Sequence, residues 1–323
     1  MVTSWPKGTP GVGTSADRLA ARIGEMSGGR LTVTLYGAGE LVPPFEVFDA
    51  VSSGTAEMGH GASHFWAGKN PAFNYFTGLP FGLTAHERVG WLSFGGGQAL
   101  WDELASGFNI KPFMSANTGV QMGGWFRKEI NTLEDFKGLK IRMPGLGGEV
   151  MRRLGAAAVT LPGNEIYQAL QAGTIDATEW VGPWNDVAFG FHQVADYYYW
   201  PGFHEPGSAL ATGFNLDVWN SLTPFQQKAV ETACQAENNY TLAEFNHFNA
   251  RSLQTLVSEH GVKLRQFTPE IMAGIREQSD IVLAEAVGSD DITKRVYESF
   301  KTSLDASREW TRIAEQAFTE ARG

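Results

Sequence analysis

The chain has 323 residues, 43% of them hydrophobic, which is enough for two globular domains, and no apolar run approaches the ~20 residues of a membrane-spanning helix. Its net charge of −10, from 35 acidic and 25 basic side chains, argues against nucleic acid or an anionic membrane surface as a partner. It leaves room for a small anion held by a local positive field, and the single cysteine, Cys234, allows no internal disulfide.

Val2–Trp5 reads as a strand that begins in mid-course, so upstream residues with an export signal are expected. A Pro/Gly loop follows, and Thr14 or Ser15 caps a helix to about Met26, with Leu19, Ile23 and Met26 at helical spacing. Leu31–Tyr36 alternates like a strand, Pro43–Val51 reads as a short helix, and Gly54–Gly61 as a strand of small residues. This order predicts a parallel sheet with crossover helices. Ser63–Phe81 is an aromatic, Gly/Pro-punctuated segment, and Thr84 caps a helical stretch to about Ser106. Ile110–Trp125 reads as one long strand, or two joined ones, broken at Gly119.

Leu139–Arg142 is a short strand stopped by Pro144, and Leu146–Leu154 a helix. Ala158–Leu161, Ile175–Trp180, Tyr197–Trp200 and Ala209–Asn215 are strands, separated by helices at Asn164–Ala172 and Trp184–Phe191. From Thr223-Pro224 onward the pattern is almost wholly helical, apart from a strand at Val262–Gln266. The final helix, from about Ser289, carries Ile292, Val296, Phe300, Leu304, Trp310, Ile313 and Phe318; such an apolar stripe needs a partner, either its own lobe or a second copy. Changes of character near Asn117–Trp125 and Ala209–Phe214 suggest that the chain crosses between two domains there and returns.

The chemistry-bearing residues are few. Arg142 stands at a strand end just before a helix N-terminus, where its planar fork can hold a carboxylate; an arginine before a surface loop is the plain alternative. Glu179 ends a strand beside Trp180, a position that is costly for a carboxylate unless it is paired or bound to a cation. Asn117 and Gln121 are four apart, ~13 Å if fully extended, so only a bend at Thr118-Gly119 brings both to one ligand. His60 and His64 straddle a strand end and a loop rather than one helix face, a poor zinc pattern. No nucleophile elbow, phosphate loop or His-Glu-x-x-His signature is present.

Thr3-Ser-Trp-Pro, Gly37-Ala-Gly-Glu-Leu-Val, Val51-Ser-Ser-Gly-Thr-Ala-Glu-Met-Gly, Leu139-Lys-Ile-Arg-Met-Pro, Leu161-Pro-Gly-Asn-Glu-Ile-Tyr-Gln-Ala-Leu-Gln-Ala-Gly and Ile175-Asp-Ala-Thr-Glu-Trp together resemble the substrate-binding proteins of tripartite ATP-independent periplasmic (TRAP) transporters, the DctP family, over nearly the whole chain. The branch most similar binds 2-oxo acids with a metal ion. The resemblance implies an α/β, two-lobed periplasmic-binding-protein fold with central mixed sheets flanked by helices and long C-terminal helices. It also implies a periplasmic receptor, not an enzyme, that delivers its ligand to TRAP membrane subunits. Residues 1–120 plus 211–250 would form the first lobe, 121–210 the second, and 251–323 a C-terminal helical segment. By the resemblance Arg142 clamps the ligand carboxylate, Gln121, the Glu179 carboxylate and the Trp180 carbonyl hold the metal, and Asn117 helps hold the ligand.

Oxygen-only donors favour Na⁺ or Ca²⁺, and a 2-oxo or 2-hydroxy acid such as pyruvate or lactate would chelate such an ion across the cleft from Arg142. Phe65, Trp66, Trp180, Trp184 and Phe214 are the expected walls. A homodimer through the last helix is a further expectation. Two other readings are a metal-dependent lyase or aldolase using His60, His64 or His204 as base, and an extracellular sensor domain.

Overall fold

The computed structural model describes residues 1–323. Ten strands form two sheets: β1 (Val2–Thr3), β2 (Met58–Gly61), β3 (Ile110–Asn117), β4 (Gly124–Phe126), β5 (Lys140–Arg142), β6 (Ala157–Val159), β7 (Ala177–Thr178), β8 (Tyr197–Trp200), β9 (Ala209–Asn215) and β10 (Lys263–Gln266). The first sheet runs β1-β2-β9-β3 and the second β10-β8-β4-β7-β5-β6. Both are mixed. β1 and β2 pair in parallel, but β9 returns antiparallel between β2 and β3, so the all-parallel sheet expected from the first elements is not formed.

Two sequence expectations change for local reasons, and a third, left open between one strand and two, resolves as two. Leu31–Tyr36 is no strand: it makes one bridge, Tyr36 to Val2, and otherwise runs extended along the first sheet. The stretch from Thr84 to Ser106 is two helices, Ala85–Phe94 and Gly97–Ser106, because Gly96 sits at φ +83° and turns the chain out of register. Ile110–Trp125 divides into β3 and β4, one in each sheet, with Gly119 at φ +70° in the turn between them.

The chain crosses between the sheets in this turn, again between β8 and β9, and a third time along the helix Pro224–Ser258. That 35-residue helix starts at a Thr223 capping box with Pro224 in its first turn. It packs against β3 and the helix Val12–Met26 on one side and against the helix Pro183–Ala188 of the other lobe. Glu237 anchors it: this fully buried carboxylate takes Arg18 at 2.9 Å and Arg22 at 2.7 Å.

Residues 251–323, expected as a separate helical segment, are divided between the two lobes. β10 lies parallel to β8 at the edge of the second sheet, and the helix Pro269–Ala286 packs on Gly145–Arg153. The helix Asp291–Thr311 then returns to the first lobe, where Val296, Phe300 and Leu304 enter the core beside Tyr75 and Trp91. The stripe therefore finds its own lobe for half its length. Trp310, Ile313 and Phe318, on the last turns, are 66%, 58% and 65% exposed. No helix is long and apolar enough to cross a membrane.

Candidate functional site

The mouths of both sheets and the two crossing segments meet around one small pocket. From the second lobe come Arg142, Pro144, Glu179, Trp180 and Val181; from the first, Trp5, Val12, Ala62, His64 and Phe65; from the crossings, Thr118, Gln121, Glu205, Ser208 and Leu210.

Arg142 closes β5, and its neighbour β7 runs parallel with Arg142 opposite Thr178, so Glu179 is the next residue beyond the ladder. Both side chains are buried. The guanidinium Nη1 donates to the Glu179 carboxylate and, at 3.1 Å, to the Glu179 carbonyl; Nε donates to the Leu161 carbonyl at 3.1 Å. Nη2 has no partner in the chain. The Trp180 ring stacks over the guanidinium at 5.0 Å. Burial lowers the Arg142 pKa from its ordinary value and Glu179 opposes this, so the group stays charged. Arg142 and Glu179 are thus side by side on one lobe, not facing each other across the cleft as expected, because adjacent parallel strands end at the same level.

Gln121 reaches the same point from the crossing turn. Its Nε2 donates to Glu205 at 2.9 Å and to Thr118 Oγ at 3.2 Å. The Nε2 of His204 lies 3.3 Å from Gln121 Oε1 and 3.1 Å from Glu179 Oε2; both are acceptors, so this nitrogen carries the proton. His204 therefore gathers the two oxygens around one N–H. Burial works against an imidazolium there, but the hydrogen bond and charge of Glu179 outweigh it and raise the His204 pKa. Glu205 is buried too, 3.2 Å from His64 Nδ1. Burial alone would raise its carboxyl; the fields of His64 and His204, with hydrogen bonds from His64 and Ser208, hold it down at about 2. Behind it lies fully buried Arg88, bonded to the carbonyls of Tyr75 (2.6 Å) and Gly207 (3.0 Å).

The structure brings Arg142, Gln121, Glu179, Trp180 and Phe65 together and leaves four predicted residues, Asn117, Trp66, Phe214 and Trp184, outside. The bend at Thr118-Gly119 exists, but Asn117 is spent in making it: its Oδ1 accepts from the Gly119 N–H at 2.9 Å. Trp66 points away from the cleft into the core, against Phe48. Phe214 lies at the far end of β9, four residues or ~13 Å from the cleft-lining Leu210, and packs on Phe113 and Trp219. Trp184, also expected as a wall, packs on Phe245 and Phe248 of the long helix. His60 is neutral and structural: its Nδ1 accepts from the Trp5 indole at 3.0 Å, and burial lowers its pKa to about 3.

Sequence reasoning missed Glu205, Trp5 and Val12, and gave His204 and His64 only as bases for an enzyme. The one available signal was His204-Glu205, two ionisable residues ahead of Pro206-Gly207 where the chain crosses between domains.

A donor set of two carboxylates, an amide oxygen and a main-chain carbonyl is hard, suited to Na⁺ or Ca²⁺ rather than to a soft metal. The Trp180 carbonyl fits such a set, because it accepts no hydrogen bond from the chain. The Nη2 of Arg142, without a partner in the chain, is the end left for an anion.

A two-lobed α/β fold with a buried anion-and-oxygen site between the lobes defines a solute-binding protein. The family described as bacterial extracellular solute-binding protein, family 7 (DctP), matches residues 1–290, and the chain belongs to that family of TRAP solute-binding proteins. It is 42% identical over 318 residues, 98% of this chain and 87% of the relative, to the monocarboxylate 2-oxoacid-binding periplasmic protein all3028 of Nostoc sp.. A TRAP periplasmic solute-binding protein of Pseudoalteromonas atlantica, solved with bound sodium and pyruvate, superposes with a TM-score of 0.95 at 41% identity, over 99% of this chain and 97% of that one. One from Bordetella bronchiseptica, a mixed-occupancy dimer with copurified calcium and picolinate in its occupied active site, gives 0.97 at 38% identity, over 100% and 96%.

The raised His204 pKa has a consequence for stability. Its contribution is fully present below the unfolded value of ~6.5 and is lost as pH rises through the folded value. Ligand-free protein should therefore melt at progressively lower temperature as pH rises from 6.5 toward 8 in calorimetry, and His204→Gln should flatten that decline. Parallel curves for the two proteins contradict the assignment.

Proposed function

We propose that this protein is an extracytoplasmic receptor for a small 2-oxo or 2-hydroxy monocarboxylate, with pyruvate as the model ligand, taken together with Na⁺ or Ca²⁺ and passed to TRAP membrane subunits. The observation that carries the reading is the meeting in one pocket of Arg142, whose Nη2 makes no hydrogen bond within the chain, with the oxygen-bearing residues Gln121, Glu179, Glu205 and Trp180. When bound, the cation supplies positive charge that chelates the carboxylate and the oxygen on the next carbon. The chain's residues do the rest. Arg142 orients the carboxylate, and His204 holds Gln121 and Glu179 in place for the cation. Trp5, Phe65, Val12 and Leu210 enclose the alkyl end and exclude water.

The reading is of a receptor and not an enzyme, in keeping with the solute-binding family to which the chain belongs. Residues 1–120 with 211–250, and residues 121–210, would close on the ligand as two lobes about the crossings near 118–123 and 201–208.

The exposed Trp310, Ile313 and Phe318 would be covered by a second copy, in keeping with the dimer seen for the Bordetella bronchiseptica relative.

Arg142→Lys removes the fork and leaves a point charge beside Glu179, so pyruvate affinity in the presence of Ca²⁺ should fall roughly 100-fold or more in calorimetry; unchanged affinity overturns the clamp. A chain ending at Glu309 keeps the packed half of the last helix and loses the exposed half. Light scattering should then give a monomer where the full chain gives a dimer, and a dimer surviving the truncation contradicts the interface.

A further inference from the structure

Asn185 lies in the first turn of the helix Pro183–Ala188, behind β7, and is fully buried. Its Oδ1 accepts a hydrogen bond from the Trp180 indole, and its Nδ2 donates to the carbonyl of Pro10. Trp180 belongs to the second lobe and shelters the Arg142 guanidinium. Pro10 belongs to the first, in the loop between β1 and the helix Val12–Met26. One side-chain amide thus joins the wall of the pocket to the opposite lobe. A second tie lies next to it: the Trp184 N–H donates to Asn249 Oδ1 of the long helix at 3.0 Å. Gly182 packs so closely there that a Cβ would stand 3.1 Å from the same amide.

We propose that Asn185 is a positioning residue that acts as an interlobe latch, coupling the seating of Trp180 in an occupied pocket to closure of the lobes and so setting the rate of ligand release. The proposal rests on the reading of the pocket as an organic-acid site. Both functional groups of the amide are satisfied only when the Trp180 indole and the Pro10 carbonyl are in place together. Opening the lobes parts Asn185 from Pro10 and leaves its bond to Trp180 within one lobe. A contact made in the closed state and absent from the open one slows release and leaves encounter unaffected. It also favours closure only when Trp180 is held in the orientation that Arg142 and the ligand fix.

Asn185→Asp separates the two bonds. The carboxylate has the same shape and still accepts from the indole, but it cannot donate to Pro10 and sets an oxygen against the carbonyl. With the full chain, pyruvate and CaCl₂, stopped-flow tryptophan fluorescence should show release from N185D roughly 10-fold faster or more, with association within about two-fold of wild type. Unchanged release, or a defect confined to association, overturns the latch. Should N185D fail to fold, Asn249→Leu cuts the neighbouring tie and must shift release in the same direction; no shift there also overturns it. If wild-type protein shows no pyruvate binding, it is the ligand reading that fails. The latch is then judged by small-angle scattering of the protein as purified: a larger radius of gyration for N185D supports it, and equal radii refute it.

Discussion

The site depends on the side-by-side burial of Arg142 and Glu179 at the ends of two neighbouring parallel strands. Placing both charges under Trp180 is expensive in desolvation, and the pair offsets that cost only because the remaining donors and acceptors are also satisfied. Leu161 and Glu179 supply carbonyls to the guanidinium, and His204 donates to the free carboxylate oxygen. Four groups there are without a partner in the chain: one guanidinium nitrogen of Arg142, the Trp180 carbonyl, and the second ring nitrogens of His204 and His64. On the function proposed above, a small acid with an oxygen next to its carboxylate, together with a hard cation, would complete that arrangement.

The fold supplies this geometry from three independent sources. β5 and β7 fix the arginine and the glutamate on one lobe. The two crossings bring Gln121 and the His204-Glu205 pair to the same point from the hinge, where Arg88 ties the second crossing to the first lobe through Gly207. The first lobe contributes mostly apolar wall, with Trp5, Val12 and Phe65. His64 apart, the polar groups of the pocket thus sit on the second lobe and the crossings, and the first lobe covers them with apolar side chains.

The sequence made the polar centre legible and the walls much less so. Arg142 and Glu179 stood out because each stands at the end of a short, clearly punctuated strand, with Pro144 after the first and Gly182-Pro183 after the second, whereas the role of Gln121 came only through the family resemblance. The first crossing was visible near Gly119, but the second lies between β8 and β9, ahead of the Ala209–Phe214 stretch expected to carry it, which is strand β9 itself. Asn117 misled because a turn with Gly119 at positive φ uses the asparagine side chain locally, a demand that spacing alone does not reveal. Trp66 and Phe214 misled because aromatic residues near a cleft in sequence divide between cleft and core according to position along a strand or a single helical turn. Glu205 was hidden for the opposite reason: its role exists only once the second crossing is folded against Gln121 and His64. The last helix was read as one stripe, whereas its first half is core and only its end is exposed, a distinction set by where the lobe surface stops.

The most direct test of the central claim is titration calorimetry of pyruvate into protein stripped of metal with a chelator, repeated after Ca²⁺ or Na⁺ is restored. The donor set around Arg142 predicts negligible heat without a cation and binding of about micromolar affinity or tighter once it is returned. Equal pyruvate binding in both conditions would contradict it.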